Sequence, residues 1–155
     1  MYKVNINAVV GDTNVLIDKV HFDSRKIDNA DVFVAIKCNV VDGHDFINDV
    51  IKNGASAIIC EKTPNKLTHG VTYVEVDNTA KALAYIAANY YNSPSENLKL
   101  VGVTGTNGKT TIAYMLASAY ESLGEAAAYI GTIGFGRTTE LRQSNNTTPD
   151  PIILQ

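Results

Sequence analysis

The run Leu100-Val101-Gly102-Val103-Thr104-Gly105-Thr106-Asn107-Gly108-Lys109-Thr110-Thr111 sets the strongest constraint on what this chain can fold into. An apolar stretch enters a glycine-rich turn. The turn ends in Lys-Thr at the head of a segment where Ile112, Met115, Leu116, Ala119 and Leu123 recur at helical spacing, and Gly124 then supplies a stop. Strand, glycine turn and helix in that order make a phosphate-binding loop within an α/β fold. Glycines let backbone N–H groups close around phosphate oxygens, and the helix start directs its positive dipole end at the same anion. In this reading Gly105, Thr106, Asn107, Gly108, Lys109, Thr110 and Thr111 surround the phosphates, Lys109 neutralises their charge and Thr110 ligates magnesium.

The common pattern G-x-x-x-x-G-K-[ST] calls for glycine where this chain has Val103, with glycines displaced to Gly102 and Gly105. The loop is therefore a variant. Residues 99–103 are expected to form a buried strand leading into it. The bland alternative is a glycine-rich turn that binds nothing, against which stand strand, loop, Lys-Thr and amphipathic helix in the right order.

Composition narrows the class. The chain has 155 residues, 45% apolar and 19% charged, which is enough Val, Ile, Leu and Ala for a packed core. A net charge of −3 and the lack of a basic block argue against general nucleic-acid binding, which depends on many Lys and Arg contacts to phosphates. No apolar run approaches the roughly 18 residues of a bilayer span, and the N-terminus leads into no signal-like apolar region, so a cytoplasmic protein without membrane insertion is expected. Cys38 and Cys60 form no CxxC pair and are expected to be reduced thiols. His21, His44 and His69 show no ligand spacing, so no protein-held transition metal is expected.

Along the chain, apolar runs at 32–36, Ala57–Cys60 and 73–76 read as strands. A helix is expected between the first two, where Phe46, Ile47, Val50 and Ile51 recur before Gly54, and a second from Thr79 to about Tyr91, behind a Thr79 cap. Residues 92–97 are polar with Pro94, which opposes continuation of a helix and marks a boundary. Residues 1–93 are then one α/β domain, and residues 97–155 begin another. In the second, the loop strand, its helix and a strand at 127–130 would form one βαβ unit, too small to cover both faces of a parallel sheet. Thr148-Pro149-Asp150 reads as a helix start with Thr148 as cap and Pro149 at the first position. That helix would have hardly nucleated before Gln155, so a truncated second domain is expected, with domain-swapped or partner-completed packing as the rival.

Further segments carry a resemblance. Upstream stand Asp23-Ser24-Arg25-Lys26-Ile27, Asp31-Val32-Phe33-Val34-Ala35-Ile36 and Asp42-Gly43-His44-Asp45-Phe46-Ile47; downstream stand Gly131-Thr132-Ile133-Gly134 and Asn145-Asn146-Thr147-Thr148-Pro149-Asp150. Together with the variant phosphate loop they resemble the Mur ligase family, and the downstream motifs resemble its branch that adds the third peptide residue to UDP-N-acetylmuramoyl-L-alanyl-D-glutamate. The family's own loop has glycines in these displaced positions. The resemblance implies an N-terminal α/β UDP-muramoyl-binding domain over residues 1–93, followed by the start of a P-loop parallel-sheet ATPase domain.

Read alone, Asp23, Ser24 and Arg25 would be a turn with an exposed ion pair, and Asn146, Thr147 and Thr148 a helix cap with polar neighbours. The resemblance makes Phe22, Ser24 and Asn39, beside Val40 and Val41, contacts to the UDP-muramoyl group, and Asn146, Thr147 and Thr148 further substrate contacts. His44 beside its turn reads as a structural hydrogen-bonder and not as a catalytic group.

The resemblance further implies that ATP with Mg2+ phosphorylates the D-glutamyl carboxylate and that the amine of a free amino acid attacks the acyl phosphate. That chemistry needs charge stabilisation more than a protein nucleophile, so no catalytic side chain is assigned within this chain. The family's acidic metal ligands, modified lysine and amino-acid-binding domain would follow Gln155, and the chain alone is expected to be inactive. Three alternatives stay open: a non-catalytic UDP-sugar-binding module, the sister ligase that adds D-alanyl-D-alanine, and a generic P-loop kinase or NTPase. The oligomeric state is not legible.

Overall fold

The computed structural model describes residues 3–37, 41–143 and 149–155. The chain divides into two compact units, the first running to Pro94 and the second spanning Ser95–Leu154.

The first unit is a five-stranded sheet with helices. Its strands are β1 (Ile6–Val10), β2 (Val20–His21), β3 (Val32–Val34), β4 (Ala57–Cys60) and β5 (Thr72–Val76), and its helices α1 (Ile47–Lys52) and α2 (Thr79–Tyr90). The spatial order is β1-β5-β4-β3-β2, with β2 to β5 parallel and β1 antiparallel against β5. Central parallel strands are buried on both faces, which is why β3, β4 and β5 read as near-continuous apolar runs. Phe33, Ile58 and Tyr73 stand in register across them. They pack with Ile27, Ala35, Ile47, Val50 and Ala55. The alternate residues Val32, Val34, Ala57, Ile59, Val74 and Val76 are buried too, and α2 turns Ala82, Leu83, Ile86 and Ala87 inward. Asp31 is fully buried, and its carboxylate accepts the N–H groups of Lys19 (3.1 Å) and Asp28 (2.8 Å), which binds the approaches to β2 and β3 together.

The cap of α2 differs from expectation. Asn78, extended at φ −151°, accepts the Lys81 N–H, while Thr79 lies in the first turn and is fully buried. Asn is the stronger capping residue, and the buried Thr79 hydroxyl is committed elsewhere.

The second unit holds α3 (Lys109–Ser122), β6 (Tyr129–Gly131), β7 (Gly134–Gly136) and the short α4 (Pro151–Leu154). Three expectations are corrected here. Residues 99–103 form no strand, because they pair with no other strand among the described residues, and Leu100 and Val101 are 80% and 65% exposed. The strand expected at 127–130 appears as β6, but it pairs antiparallel with β7 instead of closing a βαβ unit. The turn between Gly131 and Gly134 decides this: Gly134 adopts φ +132°, and a Cβ there would lie 2.6 Å from the Arg142 carbonyl oxygen. α4 begins at Pro151 with Asp150 as its cap, accepting the N–H groups of Ile152 (2.9 Å) and Ile153 (3.0 Å), and not at Pro149; Thr148 lies outside the described residues. Among the described residues, no helix is long and apolar enough to cross a membrane.

α3 packs through Tyr114, Ala117 and Glu121. The Tyr114 ring stands edge-on to Tyr129 at 5.9 Å, its hydroxyl donates to the Thr138 carbonyl, and the Glu121 carboxylate accepts from both the N–H and hydroxyl of Thr138.

Candidate functional site

The phosphate loop is built from backbone. Gly105 and Gly108 hold φ of +149° and +78°, a region where an L side chain costs about 1–2 kcal/mol. Gly108 is the residue before α3, and its carbonyl accepts the Ile112 N–H at 2.9 Å to start the helical ladder. Among the described residues no side chain caps α3. Its first N–H groups are therefore open to an anion. Lys109 Nζ donates to the Gly105 carbonyl at 2.6 Å and the Thr106 carbonyl at 3.2 Å, so the ammonium folds back over the loop it would share with a phosphate. Thr106, Asn107 and Thr111 are exposed, and Thr110 is half-buried in the first helical turn.

These residues suit a nucleotide's phosphates by three local features: left-handed glycines, uncapped helix amides and a lysine already within reach of the loop. Among the described residues no cluster of three or more His, Cys, Asp and Glu gathers as a metal site. For Mg2+ the loop offers the Thr110 hydroxyl, which fits an ion that keeps phosphate oxygens and water in its shell.

The first unit offers a second site region. β2 and β3 are parallel neighbours, so the turn after β2 and the segment after β3 emerge at one edge of the sheet. Open α/β sheets take ligands at that edge. Phe22 and Ser24, both half-buried, stand in the turn after β2. Asp23 caps the turn by accepting the Arg25 N–H at 3.1 Å, and the guanidinium forks onto its carboxylate through Nε at 2.9 Å and a terminal nitrogen at 2.8 Å. The Arg25 side chain holds the Asp23 carboxyl down to about 2. Asp23 and Arg25 thus satisfy each other, while Ser24 makes no side-chain hydrogen bond to a described residue. Of the expected contacts after β3, Asn39 and Val40 lie outside the described residues, and Val41 is 51% exposed. Asn146, Thr147 and Thr148 also lie outside them, as does Cys38.

The same edge carries a network that sequence reasoning missed in part. Asp42 Oδ1 accepts the His44 N–H at 2.9 Å and lies 2.6 Å from His44 Nδ1; these bonds hold the Asp42 carboxyl below its ordinary value, the backbone N–H contributing most. Glu61 N–H donates to His44 Nε2 at 2.9 Å, and the Glu61 carboxylate accepts from the N–H and hydroxyl of Thr79 at 3.1 and 3.2 Å. His44 is the structural hydrogen-bonder its setting suggests. Glu61 gave no sequence signal, since a glutamate after a strand looks like any solvated one, and Thr79 reads in the sequence only as a helix cap. A hollow of about 260 Å³ lies at the β5 end of this edge, lined among others by Asn5, Asp77, Lys81 and Tyr85, and it does not include Phe22 or Ser24.

Residues 16–91 match the profile described as Mur ligase family, catalytic domain, and residues 103–155 match Mur ligase middle domain. UDP-N-acetylmuramoyl-L-alanyl-D-glutamate–2,6-diaminopimelate ligase 1 of Clostridium acetobutylicum is 43% identical over 98% of this chain. The corresponding ligase of Cytophaga hutchinsonii is 43% identical over 99% of it. The chain spans 31% and 32% of the lengths of these two relatives. A solved structure of such a diaminopimelate ligase superposes with a TM-score of 0.62 at 26% identity, covering 89% of this chain and 28% of that one. The MurF ligase of Thermotoga maritima in complex with ADP superposes with a TM-score of 0.50 at 31% identity, covering 71% of this chain and 25% of that one.

Proposed function

The chain belongs to the Mur ligase family, and on that footing we propose that it supplies the UDP-muramoyl-recognition unit and the phosphate loop of an ATP-dependent, ADP-forming ligase of peptidoglycan precursor synthesis. The substrate is UDP-N-acetylmuramoyl-L-alanyl-D-glutamate. The incoming free amino acid is the 2,6-diaminopimelate named for the relatives, and the setting is the cytoplasm. Residues 1–93 act as the substrate domain, and residues 97–155 as the opening of the ATP domain.

The observation that carries this reading is the Lys109 ammonium on the Gly105 and Thr106 carbonyls beside an uncapped α3. When ATP binds, its γ-phosphoryl group provides the activation of the D-glutamyl carboxylate, with Mg2+ balancing its charge. The chain's own part is electrostatic. Amides from residue 105 to the first turn of α3 orient the phosphates, Lys109 leaves the loop carbonyls to neutralise them, and Thr110 presents its hydroxyl to the metal. Phe22 and Ser24, with Asn39, receive the UDP-muramoyl end, while Asn146, Thr147 and Thr148 contact the same substrate. Because Asn78 and Glu61 already take the leading N–H groups of α2, a diphosphate on this unit relies on the turn after β2 instead.

Calorimetry tests the reading. The wild-type chain is expected to bind ADP with Mg2+ and, separately, UDP-N-acetylmuramoyl-L-alanyl-D-glutamate. Residues 99–103, which pair with no strand among the described residues and are exposed from 99 to 102, favour one rival, a UDP-sugar-binding module with an idle loop. Binding of the UDP-sugar without ADP would select that rival, and binding of neither would overturn both.

A further inference from the structure

Three strand ends of the first unit are laced together at the edge where Phe22 and Ser24 stand. Gly43 N–H donates to the Ile36 carbonyl at 2.9 Å, holding the turn Gly43–Phe46 against the end of β3. A Cβ on Gly43 would lie 2.8 Å from both the nitrogen and the oxygen of Ile36, so only glycine permits this approach. From that turn His44 reaches the amide of Glu61, just past β4, and the Glu61 carboxylate reaches Thr79 in the first turn of α2.

The polarity of this chain of bonds is fixed. The Glu61 amide can only donate, so His44 Nε2 must accept and carries no proton. The imidazole proton then sits on Nδ1, facing Asp42 Oδ1 at 2.6 Å. The Asp42 backbone also pairs with Lys37 in an isolated antiparallel bridge. The imidazole side chain is 19% exposed. A group held this tightly by two partners of opposite polarity does more than fill space.

We propose that His44, in its neutral Nδ1-protonated form, is a positioning residue for UDP-muramoyl binding: it pins the Gly43–Phe46 turn, with Val41 and Asp42 that lead into it, to the end of β4, so that these residues and the Phe22–Ser24 turn meet the ligand at one edge. The proposal rests on the functional reading above. Its logic sets the two halves of the side chain apart. Gln places an amide oxygen near the Nε2 position and accepts from Glu61, while Asn reaches only the Nδ1 position and keeps only the Asp42 contact.

The test uses the 155-residue chain, with UDP-N-acetylmuramoyl-L-alanyl-D-glutamate as the calorimetric probe, on wild type, His44→Ala, His44→Asn and His44→Gln. Losing the Glu61 hydrogen bond, which both variants do, is expected to weaken affinity about tenfold in His44→Ala and His44→Asn. His44→Gln is expected to stay within about threefold of wild type. In the free wild-type protein, ¹⁵N spectra are expected to show an unprotonated Nε2 coupled across the hydrogen bond to the Glu61 amide. That measurement, and the Gln against Asn comparison, stand even if His44→Ala fails to fold. Equal affinity in His44→Ala and wild type, equal affinities in the Asn and Gln variants, or a protonated Nε2 would each overturn the role of His44. A wild-type chain that does not bind the UDP-sugar would overturn the functional reading, and the role of His44 with it.

Discussion

Replacing Gly43 by alanine should measure how firmly the turn after β3 is seated. The added Cβ would lie 2.8 Å from Ile36 N and O and 3.0 Å from the Ala35 carbonyl carbon, well inside the roughly 3.5–4.0 Å at which carbon contacts are favourable. These are backbone atoms, so no rotamer change relieves the clash. β3 cannot retreat either: it is hydrogen-bonded to β2 on one side and β4 on the other, and the Ala35 N–H donates to the Ile59 carbonyl at 2.9 Å. The turn must lift, losing the Gly43 to Ile36 bond. Overpacking costs about 1–3 kcal/mol. The lost hydrogen bond adds about 1 kcal/mol. Lower entropy of the unfolded alanine chain returns about 0.5 kcal/mol. The net loss is about 1.5–3.5 kcal/mol, which at a slope of about 1–2 kcal/mol/M lowers the urea midpoint by about 1–3 M. The chain contains no tryptophan and eight tyrosines, so far-UV circular dichroism with tyrosine fluorescence is the suitable assay. Gly102→Ala is the control, because nothing lies within 4 Å of a Cβ there. A Gly43→Ala midpoint no further from wild type than that of Gly102→Ala would refute the reasoning.

Lys109→Ala should weaken ADP binding by at least about tenfold in calorimetry while moving the thermal midpoint by no more than about 2 °C, because the side chain is exposed and, among the described residues, bonds only to its own loop. Gly108→Ala meets only an ordinary contact, 3.7 Å to the Ile112 side chain, but a φ of +78°, so it should distort the loop at a cost of about 1–2 kcal/mol, read as weaker ADP binding with α3 retained by circular dichroism. The Asp23 carboxyl should titrate near 2 by ¹³C NMR. In Arg25→Gln it should return to about 4. Since the folded value is depressed, the Asp23–Arg25 pair stabilises the protein above the ordinary carboxylate range, and that contribution is lost as pH falls from about 4 towards 2. Burial pushes the Cys60 thiol up to about 11, so peptide mapping after iodoacetamide at pH 8 should find Cys60 labelled only in urea; labelling of the native protein there would contradict its burial.

How far the sequence could be read depended on whether the information was local. β3, β4 and β5 were legible because burial on both faces demands unbroken apolar runs, and α1 and α2 because their inward stripes recur at helical spacing. β1 was not, since all five of its residues are exposed and its partner β5 lies far along the chain. β2 is two residues long and forms because β3 offers it an edge and Asp31 gathers nearby amides. Residues 99–103 have the composition of a strand, but a strand is a pairing, and no described segment provides one. The hairpin of β6 and β7 was not anticipated, although the spacing of Gly131 and Gly134 suits a tight turn. In the candidate site, the loop glycines were legible because only glycine readily takes their φ values. The Asp42–His44–Glu61–Thr79 chain was not, because its bonds join strand ends that only the sheet topology makes neighbours.

α3 explains why loop chemistry and loop affinity separate in this chain. Its most apolar stripe is the one facing solvent: Ile112, Met115 and Leu123 are 55%, 64% and 80% exposed, whereas the packed face is made by Tyr114, Ala117 and Glu121. Leu98, Leu100 and Val101 are equally bare. Recognition of phosphate is nevertheless local, because the glycine dihedrals, the helix amides and the Lys109 clasp need nothing beyond residue 112. What is not local is the cost of holding the loop's entrance still. Fixing the backbone of an unpaired residue costs about 1–2 kcal/mol, and a ligand that orders residues 99–103 as it binds offsets that cost from its own contacts. Sheet strands that paired with residues 99–103 and covered the apolar stripe of α3 would carry the cost in advance. They would therefore raise nucleotide affinity without adding a single contact to the nucleotide.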